Sequence, residues 1–191
     1  MRNAPIGRRV LVIGMAGSGK STFSGALSAK TGLPVITLDL EYWKPGWTMP
    51  SEDEWRAKQH RLFAGEAWIA DGNYHDSLDL QLERADTVVV LATPWWICAW
   101  RAFKRGLRSP GVEMPEGCED SAIRRLRDEW GLVVAICRHR RSEPEQARAM
   151  IAKYGPHAAV HVLRSKREAH EFLDGLGEEQ PAAVSVQRDG T

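Results

Sequence analysis

The chain alternates between short, nearly apolar runs and longer segments whose apolar positions recur every three or four residues. Five runs have the length and β-branched content of buried strands: Arg9 to Ile13, Val35 to Leu38, Ala67 to Ala70, Thr87 to Leu91 and Ala159 to Leu163. Helical patterns are predicted at about Lys20 to Lys30, Ser51 to Ala64, Pro94 to Arg108, Ser121 to Cys137, Glu143 to Tyr154 and Lys166 to Leu173. Gly32-Leu33-Pro34 breaks the first helix, and Ser51 with Glu54 forms a capping box at the start of the second. Tyr42, Trp43 and Trp47, around Pro45 and Gly46, are expected in an aromatic loop. A second loop is expected from Ser109 to Asp120, where Pro and Gly recur.

Strands alternating with helices imply an α/β fold, with a parallel sheet covered on both faces. Such sheets bind ligands at the carboxyl ends of their strands. Gly14, Asp39 and Asp71 each follow a predicted strand, so distant residues are expected around one crevice. In the helix after Pro94, Trp96, Trp100, Phe103 and Leu107 make an apolar stripe that reads as core packing. Arg101, Arg105 and Arg108 make a second stripe. Like charges so spaced repel, which a bound polyphosphate would offset. The alternative is a solvated face with counterions such as Glu113 or Asp128.

The richest segment is Gly14-Met15-Ala16-Gly17-Ser18-Gly19-Lys20-Ser21, between the first strand and the first helix. It satisfies the P-loop pattern in its strand–loop–helix context. Gly14, Gly17 and Gly19 let the backbone approach an anion closely. Loop N–H groups and the helix N-terminus converge on phosphate oxygens. Lys20 meets the outer phosphates and Ser21 offers a hydroxyl to Mg²⁺. Asp71, after an apolar run, is suited to the metal side. Asp39 is suited to receiving a proton from an acceptor or orienting it. Arg101 and Arg105 are expected to neutralise charge on the transferring group.

Length and composition narrow the setting. A chain of 191 residues, 43% hydrophobic and 27% charged, suits one globular core. Residues 1–176 are expected to form one domain, with a lid region at about 94–141 and a disordered tail at 177–191. A formal net charge of +1 argues against nucleic-acid binding by charge alone. Local basic clusters do occur, at Arg124, Arg125 and Arg127 and from Arg138 to Arg141. Basic residues in a last helical turn more commonly complement the helix dipole. No apolar run is long enough to span a bilayer, and the basic N-terminus is too short for a signal peptide. A cytoplasmic protein, monomer or homodimer, is the expectation. Cys98, Cys118 and Cys137 form neither a disulfide framework nor a zinc knuckle, and the histidines do not cluster. Cys98 and Cys137 read as small core residues, and Cys118 as a loop residue.

Four segments together carry a resemblance: GMAGSGKS, ITLDLEYWKPGW at 36–47, WIADGNYHDSLDLQLERAD at 68–86 and PWWICAWRAFKRGLR at 94–108. They are similar to the adenylate-kinase-like topology modulation proteins, and VLRSKREAHEFL at 162–173 fits as well. The resemblance implies a P-loop NTPase of the nucleoside-monophosphate-kinase branch, with a five-stranded parallel sheet and ATP as phosphate donor. It implies phosphate binding by Gly17, Gly19, Lys20, Ser21 and Thr22, beside Gly14 and Ser18 of the same loop. The aromatic segment from Tyr42 to Pro50 lacks the monophosphate-binding arginine of adenylate kinases, which speaks against AMP as acceptor. The expected function is transfer of the γ-phosphoryl group of ATP to a small acceptor with Mg²⁺. The alternative is a nucleotide-binding regulatory protein affecting DNA topology.

Overall fold

Along the first strand, β1 (Arg9–Ile13), Val10 and Val12 join one apolar cluster, and Leu11 and Ile13 join another. A strand buried on both faces belongs inside a sheet. In the computed structural model, β1 is central among β2 (Val35–Thr37), β3 (Trp68–Asp71), β4 (Thr87–Leu91) and β5 (Ala159–Leu163). The five strands are parallel, in the order β2-β3-β1-β4-β5. The structure describes residues 6–72, 77–107, 115–118 and 122–176, with backbone alone over 122–125. The expected disordered tail, most of the second loop and Arg108 lie outside these residues.

The helices in chain order are α1 (Lys20–Thr31), α2 (Leu38–Tyr42), α3 (Glu52–Leu62), α4 (Leu78–Arg84), α5 (Trp95–Gly106), α6 (Ala122–His139), α7 (Ser142–Tyr154) and α8 (Lys166–Gly175). Phe23 and Leu27 of α1 and Phe172 and Leu173 of α8 cover the Val10/Val12 face. Trp55 of α3, Leu78 and Leu82 of α4 and Ile151 of α7 cover the other, with Phe63 and Trp68. Full burial of each such side chain is worth roughly 1.5–3 kcal/mol. A smaller cluster, Met15, Cys98, Ala102 and Ile136, fastens α5 and α6 to the loop after β1. The capping box at α3 forms as expected, with Ser51 Oγ accepting from Glu54 N–H at 3.3 Å and Ser51 N–H donating to Glu54 Oε2 at 2.9 Å. Among the described residues, no helix is long and apolar enough to cross a membrane.

Three expectations are corrected. β2 ends at Thr37, and Leu38 opens α2 where a strand end and an aromatic loop were expected. Leu38 is fully buried against Gly72, and Asp39 and Glu41 fall in the first turn, where the helix dipole favours acidic groups. The helix α4 was not anticipated. The aromatic stripe of α5 is not core: Trp96, Trp100 and Leu107 are 58–64% exposed. The buried face is the run of small residues Cys98, Ala102 and Gly106. Gly106 lies where a Cβ would stand 3.1 Å from Glu129 Cβ, so α5 and α6 pack closely.

Candidate active site

The phosphate loop leaves the centre of the sheet. Ser18 N–H donates to the Met15 carbonyl at 3.0 Å, closing the turn, and Gly19 caps α1. Lys20, the first residue of α1, folds back over the loop. Its Nζ donates to the carbonyls of Gly14 at 2.6 Å and Met15 at 3.2 Å. Burial pulls its pKa below the ordinary lysine value. Asp71, Asp39 and Glu143 oppose that shift, in decreasing order. Carboxylates from three elements therefore act on one ammonium group.

Sheet register explains the meeting of Asp71 and Asp39. Asp71 pairs with Val12 on one side and Thr37 on the other. It sits level with the end of β1 and directly before the turn into α2. Gly72 completes the approach. Its φ is +150°, and a Cβ there would stand 2.7 Å from Leu38 Cβ. Only a residue without a side chain lets the β3 end lie this close to α2. Asp71 is 4% exposed. Burial raises its carboxyl pKa, while a hydrogen bond with Ser21 and the charge of Lys20 lower it.

The helix α5 supplies the adjoining wall. Arg101 Nη1 donates to the carbonyls of Gly17 and Ser18, each at 3.2 Å. Thr93 Oγ1 also donates to Ser18 O, at 3.1 Å. Arg105 is engaged differently. Its Nε donates to Glu129 Oε1 and its Nη2 to Glu129 Oε2, the latter at 2.9 Å, so the pair is bidentate. Glu129 was not among the expected counterions. It is 9% exposed, and the pair holds α5 to α6. Arg105→Ala is expected to destabilise the protein by about 1–3 kcal/mol, because it leaves a buried carboxylate without its cation. Glu129→Gln in the same background should recover part of the loss. Thermal unfolding of the two variants checks this. An unchanged melting temperature in Arg105→Ala would remove the pair from the account of α5–α6 packing.

These elements enclose a cavity of about 720 Å³. Of the expected residues, Gly17, Gly19, Lys20, Ser21, Thr22, Asp39, Asp71, Arg101 and Arg105 all line it. Gly14 and Ser18 shape the loop from behind, and Ser18 is 5% exposed. Sequence reasoning missed the far wall, made by Leu132, Ala135, Ile136 and His139 of α6 and Glu143 and Gln146 of α7. The basic run closing α6 has a local role. Arg140 Nη1 donates to the Cys137 carbonyl at 2.6 Å, and its guanidinium lies 5.7 Å from the Trp95 ring centre. Cys98 is buried as expected, whereas Cys137, expected in the core, is half-buried like Cys118; all three are free thiols.

Sheet order, phosphate loop and flanking helices define a P-loop kinase fold, the fold of shikimate kinase. The chain is similar to shikimate kinase from Acinetobacter baumannii, solved in complex with shikimate: 19% identity, TM-score 0.53, covering 88% of this chain and 89% of that one. It is similar also to shikimate kinase from Bacteroides thetaiotaomicron, with 18% identity, TM-score 0.48 and coverage of 90% and 97%. A third is deoxyadenosine kinase from M. mycoides with bound dCTP, at 14% identity, TM-score 0.45 and coverage of 87% and 97%. No protein-family model and no curated protein matches the sequence. At these identities the likeness is one of fold.

Proposed function

We propose that this protein is a cytoplasmic phosphotransferase that moves the γ-phosphoryl group of ATP to the hydroxyl of a small molecule. One observation carries the proposal: Lys20, Ser21, Asp71, Asp39 and Arg101 line a single cavity at the carboxyl end of the sheet. The loop N–H groups and Lys20 bind the polyphosphate, and Arg101 closes on it from α5. Arg105 stands on the same wall and takes a lesser part, its charge balanced by Glu129. Asp39 orients the acceptor hydroxyl and takes its proton. Such chemistry rests on alignment and charge neutralisation.

Ser21 and Asp71 fit Mg²⁺. Both offer hard oxygen donors, they are hydrogen-bonded to each other, and the carboxylate is buried at the cavity floor. Among the described residues no three His, Cys, Asp or Glu side chains form a metal cluster. That suits an ion that takes most of its ligands from phosphate and water. When bound, Mg²⁺ neutralises charge on the phosphate oxygens. Asp71→Asn should weaken Mg²⁺-dependent ATP binding about tenfold to a hundredfold, and more than Asp39→Asn does. ATP titrations with and without Mg²⁺ measure this. Equal Mg²⁺ dependence in wild type and Asp71→Asn would take Asp71 out of the metal site.

The resemblance to topology modulation proteins keeps a second role in view, nucleotide-dependent action on DNA. The capping and ring contacts of Arg140 favour a structural role for the basic run. A labelled-ATP transfer assay beside a gel shift, on wild type and on Arg140→Ala with Arg141→Ala, separates the two roles. The phosphotransferase keeps its transfer rate in that variant. A DNA-binding protein instead shows a salt-sensitive gel shift that the variant weakens, with no transfer.

A further inference from the structure

The helix pair α5–α6 has two sides. One lines the cavity, through Arg101 and Arg105 of α5 and Leu132, Ala135 and His139 of α6. The other is apolar and faces solvent: Trp96, Trp100 and Leu107 on α5, and Leu126, Trp130 and Val134 on α6, are each 43–64% exposed. At about 100° per residue, these six stand roughly 100–180° around their helices from the cavity-lining residues. The two stripes adjoin. A Cβ at Gly106 would stand 3.6 Å from Leu126 Cδ1, and Cys98, Ala102 and Ile136 pack in one cluster with Val133. Single apolar residues are ordinary on a surface. A continuous strip of tryptophan, leucine and valine marks a face that meets a partner or a membrane.

Cations border the strip along both outer edges. On α5, Lys104 Nζ lies 5.7 Å from the Trp100 ring centre. On α6, Arg127 stands one turn before Trp130 and Arg138 one turn after Val134, and both are exposed. A second copy of this chain on the same strip would bring these cations to the rim beside their like, which disfavours such a pairing. A nucleic acid would offer them phosphates, but Leu107, Leu126 and Val134 give its bases no ring to stack on. Trp100 already carries Phe103 stacked at 5.9 Å, besides Lys104. We propose that the strip is a membrane-docking surface for an anionic lipid bilayer. The tryptophan rings and aliphatic side chains sit at the boundary between headgroups and acyl chains. Lys104, Arg127 and Arg138 meet the lipid phosphates, whose surface potential draws a basic patch towards it. Among the described residues no helix is long and apolar enough to cross the bilayer; the strip has the composition of a helix face that lies on one. The cavity, on the opposite side of the pair, stays clear of the lipid.

The test is cosedimentation of the full chain with phosphatidylcholine vesicles, with and without phosphatidylglycerol. Wild type should bind the anionic vesicles at least about tenfold more tightly than the neutral ones, less so in high salt, and its tryptophan emission should shift to the blue on binding. Trp100→Ser with Trp130→Ser should weaken binding to the anionic vesicles about tenfold or more. Lys104→Gln with Arg127→Gln and Arg138→Gln should remove the preference for anionic vesicles. Unchanged ATP affinity, by calorimetric titration, shows that each variant is folded. Wild type that stays in solution with both vesicle types overturns the inference, and so does vesicle binding that survives the tryptophan changes. Light scattering that finds a dimer, made monomeric by Trp100→Ser with Trp130→Ser, overturns it in favour of a second copy on the strip. Binding of a single-stranded oligonucleotide that the same change abolishes overturns it in favour of nucleic acid.

Discussion

Lys20→Ala is expected to lower phosphoryl transfer about a hundredfold to a thousandfold while the protein stays folded. Its amine belongs to no core contact; it rests on the Gly14 and Met15 carbonyls beside the cavity. Burial makes its charge costly, and Asp71, Asp39 and Glu143 help to retain that charge. A half-buried cation held this way is ready for charge that grows on the transferring group, so the loss falls on kcat. Circular dichroism and thermal unfolding should change little. Near-normal turnover by the variant would show that the loop lysine does not meet the transferred group.

Gly17→Ala should be nearly as damaging, through geometry. Gly17 has φ of +80°, and a Cβ there would stand 2.5 Å from the Cys98 carbonyl oxygen. Either the loop or the first turns of α5 must move, and backbone strain at such a position costs roughly 1–3 kcal/mol. The displaced loop no longer presents its N–H groups together, so ATP affinity should fall at least tenfold, measured by calorimetric titration. Gly25→Ala is the control. Gly25 lies on α1 with open space where a Cβ would go, so that change should leave ATP binding intact and favour the helix. Equal ATP affinity in wild type and Gly17→Ala would mean that the loop yields freely and is not preformed for phosphate.

The strands and the phosphate loop were legible because their signals are local. Thr87 to Leu91 reads as a buried strand wherever it packs, and glycine spacing with Lys20 and Ser21 needs no partner to be recognised. Asp71 and Asp39 were legible as strand-end residues, although Asp39 turned out to sit on a helix. Leu38 ended an apolar run, and its contact with Gly72, which fixes α2, is tertiary. Leu78-Asp79-Leu80-Gln81-Leu82 alternates as a strand would, which hid the helical spacing of Leu78, Leu82 and Ala85. On α5 the large aromatics suggested a core face. The small residues were the ones buried, since Cys98, Ala102 and Gly106 let α6 approach closely. The cavity's far wall was least legible. Glu143 and Gln146 follow the turn between α6 and α7, and nothing within that segment announces what it faces.

The central claim is that this cavity transfers the γ-phosphoryl group of ATP to an organic acceptor. The most direct measurement is the fate of label from γ-labelled ATP incubated with the protein, Mg²⁺ and a heat-treated small-molecule extract. The account predicts a new labelled organic species that forms with wild type and is absent with Lys20→Ala. Label recovered only in ATP and inorganic phosphate, for both proteins alike, would contradict it.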